Sequence, residues 1–216
     1  MKSVLIIGMG RFGRHLCMNM SRLGHQIMIV DDHEENLEEM LPYVVSAKIG
    51  DCTKPEVLKS LGIANFDLCF VCIGTNFQSS LEVTSQIKEM GGKYVISKAT
   101  RDIQAKFLLR NGADEVIYPE RDEAEKLAMR FSANHVYDYI ELSEDYSIYE
   151  IAPPQGWLGK SLKELDIRNK YHINILGVKR GEKVEMISAS EYKIKKDDHL
   201  MILGRKEDTE KILKQL

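Results

Sequence analysis

The chain has 216 residues, 44% of them hydrophobic and 29% charged, with a formal net charge of −3. That length holds one large domain or two small ones, and the balance is that of an ordinary globular protein. The near-neutral charge, without long blocks of one sign, argues against a nucleic-acid partner.

The first apolar run is Val4-Leu5-Ile6-Ile7. Lys2 precedes it, and it turns at Gly8 into a charged helix, which does not fit a signal peptide. No run approaches the roughly 20 apolar residues of a membrane helix, so no direct membrane insertion is expected. The run leads into Gly8-Met9-Gly10-Arg11-Phe12-Gly13, and then a helix with Phe12, Leu16, Met20 and Leu23 on one face. In such a turn Gly8 permits the bend, Gly10 lets phosphates approach the backbone, and Gly13 lets the helix sit close to the strand. A helix start offers unpaired N–H groups and about half a positive charge.

Strand-length apolar runs follow at 27–30, 44–49, 68–73, 94–97 and 115–118. Helical patterns alternate with them near 11–23, 34–41, 54–61, 77–90, 101–111 and 120–133. Continuous apolar strands separated by helices predict an α/β fold, a Rossmann-like doubly wound parallel sheet covered on both faces. Ligands bind such sheets at the carboxyl ends of the strands, so the residues after each run are the candidates.

After the second run stand Asp31 and Asp32. Asp31 is a ribose-binding candidate or a helix cap, and the glycine turn upstream favours ribose. Asp51, Cys52 and Thr53 follow the third run, where Asp51 and Thr53 contact a ligand or cap the helix opening at Pro55. Gly74-Thr75-Asn76 follows the fourth, with Asn76 suited to an N-cap. Lys98 after the fifth contacts a ligand or is an ordinary solvated lysine, and Glu120 after Pro119 reads as a dipole-favoured first-turn carboxylate without further role. Arg11 opposes the dipole preference at its helix start. A guanidinium beside backbone amides suits a heavily charged anion such as a triphosphate.

Cysteines stand at 17, 52, 69 and 72. Cys69 and Cys72 have CxxC spacing, but in a strand they face opposite ways, so buried hydrophobes are expected rather than a metal or redox pair. The six histidines show no metal-ligand spacing.

From about residue 136 the pattern changes. Short strands at 137–142 and 147–152 precede the break Pro153-Pro154-Gln155-Gly156. A short helix near 161–165, a strand at 173–179, a hairpin at Arg180-Gly181-Glu182, a run at 200–203 and a helix from Lys206 complete a small α+β lobe. The expected domains are therefore 1–135 and 136–216. Leu127, Ala128 and Phe131 form an apolar stripe on the joining helix, suited to a core or to a dimer face.

These motifs resemble the RCK (KTN) family. The first half carries Gly8 to Gly13, Val30-Asp31, Gly50 to Thr53, Ile73 to Asn76 and Gly112 to Glu120. The second carries Leu158-Gly159-Lys160-Ser161-Leu162, Leu165, Ile167-Arg168, Tyr171 and Asp197-Asp198 before Leu200 to Gly204. The resemblance covers nearly the whole chain. It implies a cytoplasmic, ligand-sensing gating-ring subunit of a Ktr/Trk potassium uptake system. Such subunits form homodimers that assemble into an octameric ring beneath a membrane-embedded TrkH/KtrB-like transporter subunit, at the inner face of the membrane.

The resemblance implies that ATP or ADP binds the N-terminal lobe, at a site comprising Gly8, Gly10, Arg11, Phe12, Gly13, Asp31, Asp32, Asp51, Cys52, Gly74, Asn76 and Lys98. Asp51 and Cys52 would lie near the adenine, and Asn76 and Lys98 near the phosphates. Arg11 would reach the terminal phosphate, often of the neighbouring subunit's nucleotide. Glu120 would help hold a divalent cation, Mg or Ca, between subunits. Some relatives bind NAD(H) instead, and many bind cyclic di-AMP in the C-terminal lobe. Leu162, Asp166, Arg168, Tyr171 and Asn174 resemble that second site, with Arg168 as phosphate partner. Ser188-Ala189-Ser190 replaces the proline usual there, and His172 stands where some relatives have a smaller residue.

The resemblance implies no chemistry, so no enzyme. The alternative is a small NAD-dependent oxidoreductase, which the glycine turn and Asp31 would also serve. It lacks an evident substrate domain, since the second lobe is small and polar at its turns. A potassium-efflux regulator of the same fold is a third reading.

Overall fold

The computed structural model describes residues 1–132, 136–143, 145–181, 183–187, 191–214 and 216. They form two compact units, Met1–Glu120 and Arg121–Leu216.

The first unit is built on six strands: β1 (Ser3–Ile7), β2 (Gln26–Asp31), β3 (Ser46–Ile49), β4 (Leu68–Val71), β5 (Val95–Lys98) and β6 (Glu115–Ile117). All neighbours are parallel, in the order β3-β2-β1-β4-β5-β6. Helices α1 (Arg11–Arg22), α2 (Glu35–Glu38), α3 (Pro55–Leu61), α4 (Phe77–Glu89) and α5 (Asp102–Arg110) connect them. This is the doubly wound sheet that the alternating pattern predicted. β1 is covered on both faces, with Leu5 and Ile7 in one core and Val4 and Ile6 in the other. Cys69 and Cys72 divide between the same two cores, so they do face apart. Burial pushes both thiols up to about 12.

The chain leaves β1 through a turn with Gly8 at φ +93°. A Cβ on Gly13 would lie 2.2 Å from the Gly8 carbonyl oxygen, so α1 rests its backbone directly on the turn. A Cβ on Gly10 would meet nothing within 4 Å. Glycine at 13 is therefore required by packing, whereas at 10 the protein itself leaves open space.

Helix α6 (Pro119–Ser132) carries the chain out of the first unit. Of its apolar side chains, Met129 packs against the core of the second unit, while Leu127 and Phe131 are exposed. The second unit contains β7 (Val136–Glu141), β8 (Tyr146–Ile151), β9 (Ile173–Arg180), β10 (Lys183–Met186) and β11 (His199–Arg205). They form an antiparallel sheet ordered β10-β9-β11-β8-β7. Trp157, Tyr149, Ile173 and Leu200 lie at its core.

Helices α7 (Leu162–Leu165) and α8 (Ile167–Tyr171) precede β9, and α9 (Lys206–Leu213) follows β11. The first is set by a capping box, in which Ser161 accepts from the Glu164 N–H and Glu164 accepts from the Ser161 N–H. The sequence reading had only one helix here. Asp166, at φ +45°, ends α7 and lets α8 start at once in a new direction.

Asp198 is buried and accepts from the Lys195 N–H, Tyr192 Oη and Arg180 Nε. Burial alone would raise its carboxyl, but these donors outweigh it and hold the group below its ordinary 3.8. A folded value below the unfolded one adds stability that is complete above the ordinary value and lost as pH falls through the folded one.

Two outcomes are expected. Gly13→Ala lowers stability by about 3 kcal/mol in urea unfolding, because backbone has to move to admit the methyl group. The stability gap between wild type and Asp198→Asn, followed by Trp157 fluorescence, narrows as pH falls from about 6 to about 3.

Candidate functional site

A cleft of about 380 Å³ opens at the carboxyl edge of the parallel sheet, where the chain departs from β1 and β4. Its walls include Gly8, Gly10, Asp31, Asp32, Asp51, Cys52, Gly74 and Asn76, all expected from the sequence. One end is the start of α1. Gly10 is its N-cap without a side-chain cap, and the first turn holds no acidic residue. The Arg14 N–H makes the first intrahelical bond, to the Gly10 carbonyl at 3.0 Å. The amides of the first helical turn, Arg11 to Gly13, have no acceptor one turn back within the helix and can serve an anion.

Asp31 ends β2 and is buried, with 8% of its surface exposed. Oδ2 accepts from the Met9 N–H at 2.7 Å. Oδ1 accepts from the His33 N–H at 3.0 Å and Asn36 Nδ2 at 2.9 Å. Burial pushes its carboxyl up, but the donors from Asn36, Met9 and His33 prevail and hold it ionised below its ordinary value. A carboxylate offers about four acceptor positions, so one remains, on Oδ2. Its neighbour Asp32 pairs with His33 Nδ1 at 2.6 Å, which raises the imidazole's basicity. Asp31, Asp32 and His33 thus bring ligand-type atoms within 4.8 Å of one another, an association the sequence spacing did not reveal.

The opposite wall is the loop after β3. Asp51 Oδ1 accepts from both the N–H and the hydroxyl of Thr53, so the pair forms a turn of its own. It does not cap α3, whose N-cap is Lys54. The Thr53 contacts hold the Asp51 carboxyl below its ordinary value. Burial pushes the Cys52 thiol up to about 12. Asn76 is the N-cap of α4, accepting from the Ser79 N–H at 3.2 Å, and lines the cleft as well.

Gly13, Arg11, Phe12, Lys98 and Glu120 are not in the cleft wall. Gly13 supports the turn from behind. The others gather at its phosphate-suited end. Lys98 is no solvated lysine, since only 11% of its side chain is exposed. Its Nζ lies 2.6 Å from Glu120 Oε1 and 5.6 Å from the Phe12 ring centroid. The Lys98 hydrogen bond holds the Glu120 carboxyl below its ordinary value, with a smaller contribution from the Arg11 charge. Arg11 is exposed and makes no hydrogen bond or ion pair among the described residues.

His33, Asn36 and Ser79 also line the cleft, which the sequence reading missed. Asn36 sits within a short helix, and nothing local marks it as a partner of Asp31.

The second unit has a cleft of about 460 Å³ that brings together Leu162, Asp166, Arg168 and Asn174. Arg168 Nε donates to Asn174 Oδ1 at 2.9 Å. Tyr171 departs from the expected set. It turns to Trp157, with ring centroids 5.1 Å apart, because α8 packs that face on the core. His172 ends α8 at φ +56°, and residues 188–190 lie outside the described residues.

A Tyr-x-x-x-Lys spacing, Tyr94 to Lys98, does not form a catalytic pair. The two residues stand at opposite ends of β5, and Tyr94 donates to Glu115.

Comparison with known proteins gives a consistent assignment. Residues 4–119 match the TrkA-N domain and residues 146–216 the TrkA-C domain. The chain is 39% identical over 215 residues to Ktr system potassium uptake protein C of Bacillus subtilis (strain 168), covering 100% of this chain and 97% of that protein. It is 37% identical over 207 residues to Ktr system potassium uptake protein A of the same organism, covering 96% and 93%. Among solved structures it resembles the GsuK channel bound to NAD, with a TM-score of 0.67 and 18% identity, over 96% of this chain. It spans only 38% of that channel's length, so the likeness shows a shared fold. With both domain matches in order and these identities over nearly its full length, the chain belongs to the TrkA-N/TrkA-C family that includes the Ktr system potassium uptake proteins.

Proposed function

We propose that this chain is a regulatory subunit of a potassium uptake system, and that it senses ATP against ADP in the cleft of its first unit. The observation that carries this reading is the uncapped, carboxylate-free start of α1, opposite Asp31 and beside an unpaired Arg11. Amides and a guanidinium suit a polyphosphate, and the remaining acceptor position of Asp31 suits a ribose hydroxyl. Asp51 and Cys52 border the adenine end, and Asn76 the phosphates.

The described residues contain no helix long and apolar enough to cross a membrane. The similarity to Ktr system potassium uptake proteins supports a membrane partner that carries the ion. A TrkH/KtrB-like transporter subunit fills that role. Homodimers assembled in an octameric ring at the cytoplasmic face would transmit the signal. A ligand moves such an equilibrium only by its differential affinity for the two states. A near-complete shift needs about 5.5 kcal/mol in total, a small share per subunit when eight move together. One Arg11–phosphate bond made in one state only is worth roughly 1.5–3 kcal/mol, which is ample.

A divalent cation fits at Glu120 as a shared ion. Glu120 offers one exposed carboxylate, with Lys98 on one of its oxygens. Phosphates and a second copy of the chain would supply the other oxygen ligands that Mg or Ca requires. Bound there, the ion neutralises phosphate charge. The glycine cradle and Asp31 equally suit the adenosine half of NAD(H), a second reading favoured by the NAD-bound channel of similar fold. In the second unit, Arg168 and Asn174 line a cleft suited to cyclic di-AMP.

Isothermal titration with ATP and ADP in Mg tests the first reading. Wild type is expected to prefer ATP by about tenfold, and Arg11→Ala to lose that preference while keeping its ADP affinity. Unchanged discrimination in Arg11→Ala would defeat it, and tight binding of NADH alone would favour the second reading. For the other cleft, Arg168→Ala is expected to weaken cyclic di-AMP binding at least tenfold while leaving ATP binding intact.

A further inference from the structure

Arg14 lies on α1, one turn beyond Arg11, and is absent from the cleft wall. Its guanidinium nevertheless reaches three groups on two segments, the glycine turn and α2 with its C-cap. Nε donates to the Met9 carbonyl at 2.9 Å, one terminal nitrogen to Asn36 Oδ1 at 2.9 Å, and the other to the Glu39 carboxylate at 3.0 Å. Asn36 Nδ2 then donates to Asp31 Oδ1 at 2.9 Å. The Met9 N–H donates to Asp31 Oδ2 at 2.7 Å. These bonds close a ring that runs Met9, Arg14, Asn36, Asp31 and back to Met9.

We propose that Arg14 is a positioning residue for ribose recognition: it holds the Met9 peptide directly and the Asp31 carboxylate through Asn36, so that glycine turn and carboxylate keep one geometry. The inference rests on the reading that Asp31 takes the ribose diol. The Asn36 amide orients the Asp31 carboxylate only while its own oxygen is fixed. Arg14 fixes it, and Glu39 fixes Arg14 from the far side. The job requires a planar fork, because one group has to serve a carbonyl, an amide and a carboxylate together. A lysine ammonium on a flexible stem cannot span all three.

Titrations of the full chain with ATP and with 2′,3′-dideoxy-ATP test the proposal. Wild type is expected to prefer ATP by roughly tenfold, the worth of one charge-assisted hydrogen bond. Asp31→Ala sets the level without that bond. The ATP preference of Arg14→Ala and of Asn36→Ala is expected to fall to within about threefold of that level, and in Arg14→Ala, which lies outside the cleft wall, dideoxy-ATP affinity stays within about twofold of wild type. Arg14→Ala added to Asp31→Ala is expected to change nothing further. Arg14→Lys, which keeps the charge and the stem, is expected to recover less than half of the preference on a logarithmic scale. It also serves as the test should Arg14→Ala fail to fold. Equal weakening of both nucleotides would mark a structural role and overturn the proposal. So would full ATP preference in both Arg14→Ala and Arg14→Lys. A wild type without any preference would defeat the ribose reading of Asp31 and, with it, the role assigned to Arg14.

Discussion

Helix α1 aims its first amides at the sheet edge because its backbone rests on the turn that follows β1. The contact is between Gly13 and the Gly8 carbonyl, at a distance that admits no Cβ. A thicker residue would lift the helix away and turn its positive end from the cleft. The remaining parts of the site are arranged around that fixed point. Asp31 ties into the turn through the Met9 N–H, and Asn76 caps the helix after the adjacent strand β4. Main-chain packing thus sets the site, and side chains refine it.

Charge is distributed along the cleft in one direction. Asp31, Asp32 and Asp51 stand on the side of β2 and β3. The start of α1, Arg11 and Lys98 stand at the other end. A ligand with hydroxyls at one end and phosphates at the other meets complementary groups throughout. Lys98 already has a counter-ion in Glu120. Arg11 has none among the described residues, which leaves its charge available to an anion.

Much of this was legible in the sequence, because it depends on local periodicity and on residues at strand ends. The alternation of apolar runs and helices predicted the parallel sheet, and the opposed Cys69 and Cys72 followed from strand geometry alone. The residues at the ends of four strands assembled into one cleft for the same reason. What escaped depends on contacts between distant positions. Lys98 looked solvated, yet Glu120, 22 residues away, and the Phe12 ring enclose it. Asn36 and Arg14 have no local signature, since the bond that joins them spans 22 residues. Tyr171 looked like a ligand residue, but the left-handed Asp166 redirects the helix that carries it toward Trp157.

Two thiols, Cys52 and Cys72, stand in the wall of the cleft. Alkylating agents and peroxides attack the thiolate form, and desolvation keeps Cys52 protonated with its value pushed up to about 12. Cys17, Cys69 and Cys72 are buried and similarly shifted. Four thiols therefore sit in the first unit without thiolate activation. Reagents that require a thiolate thus find none activated in the folded unit.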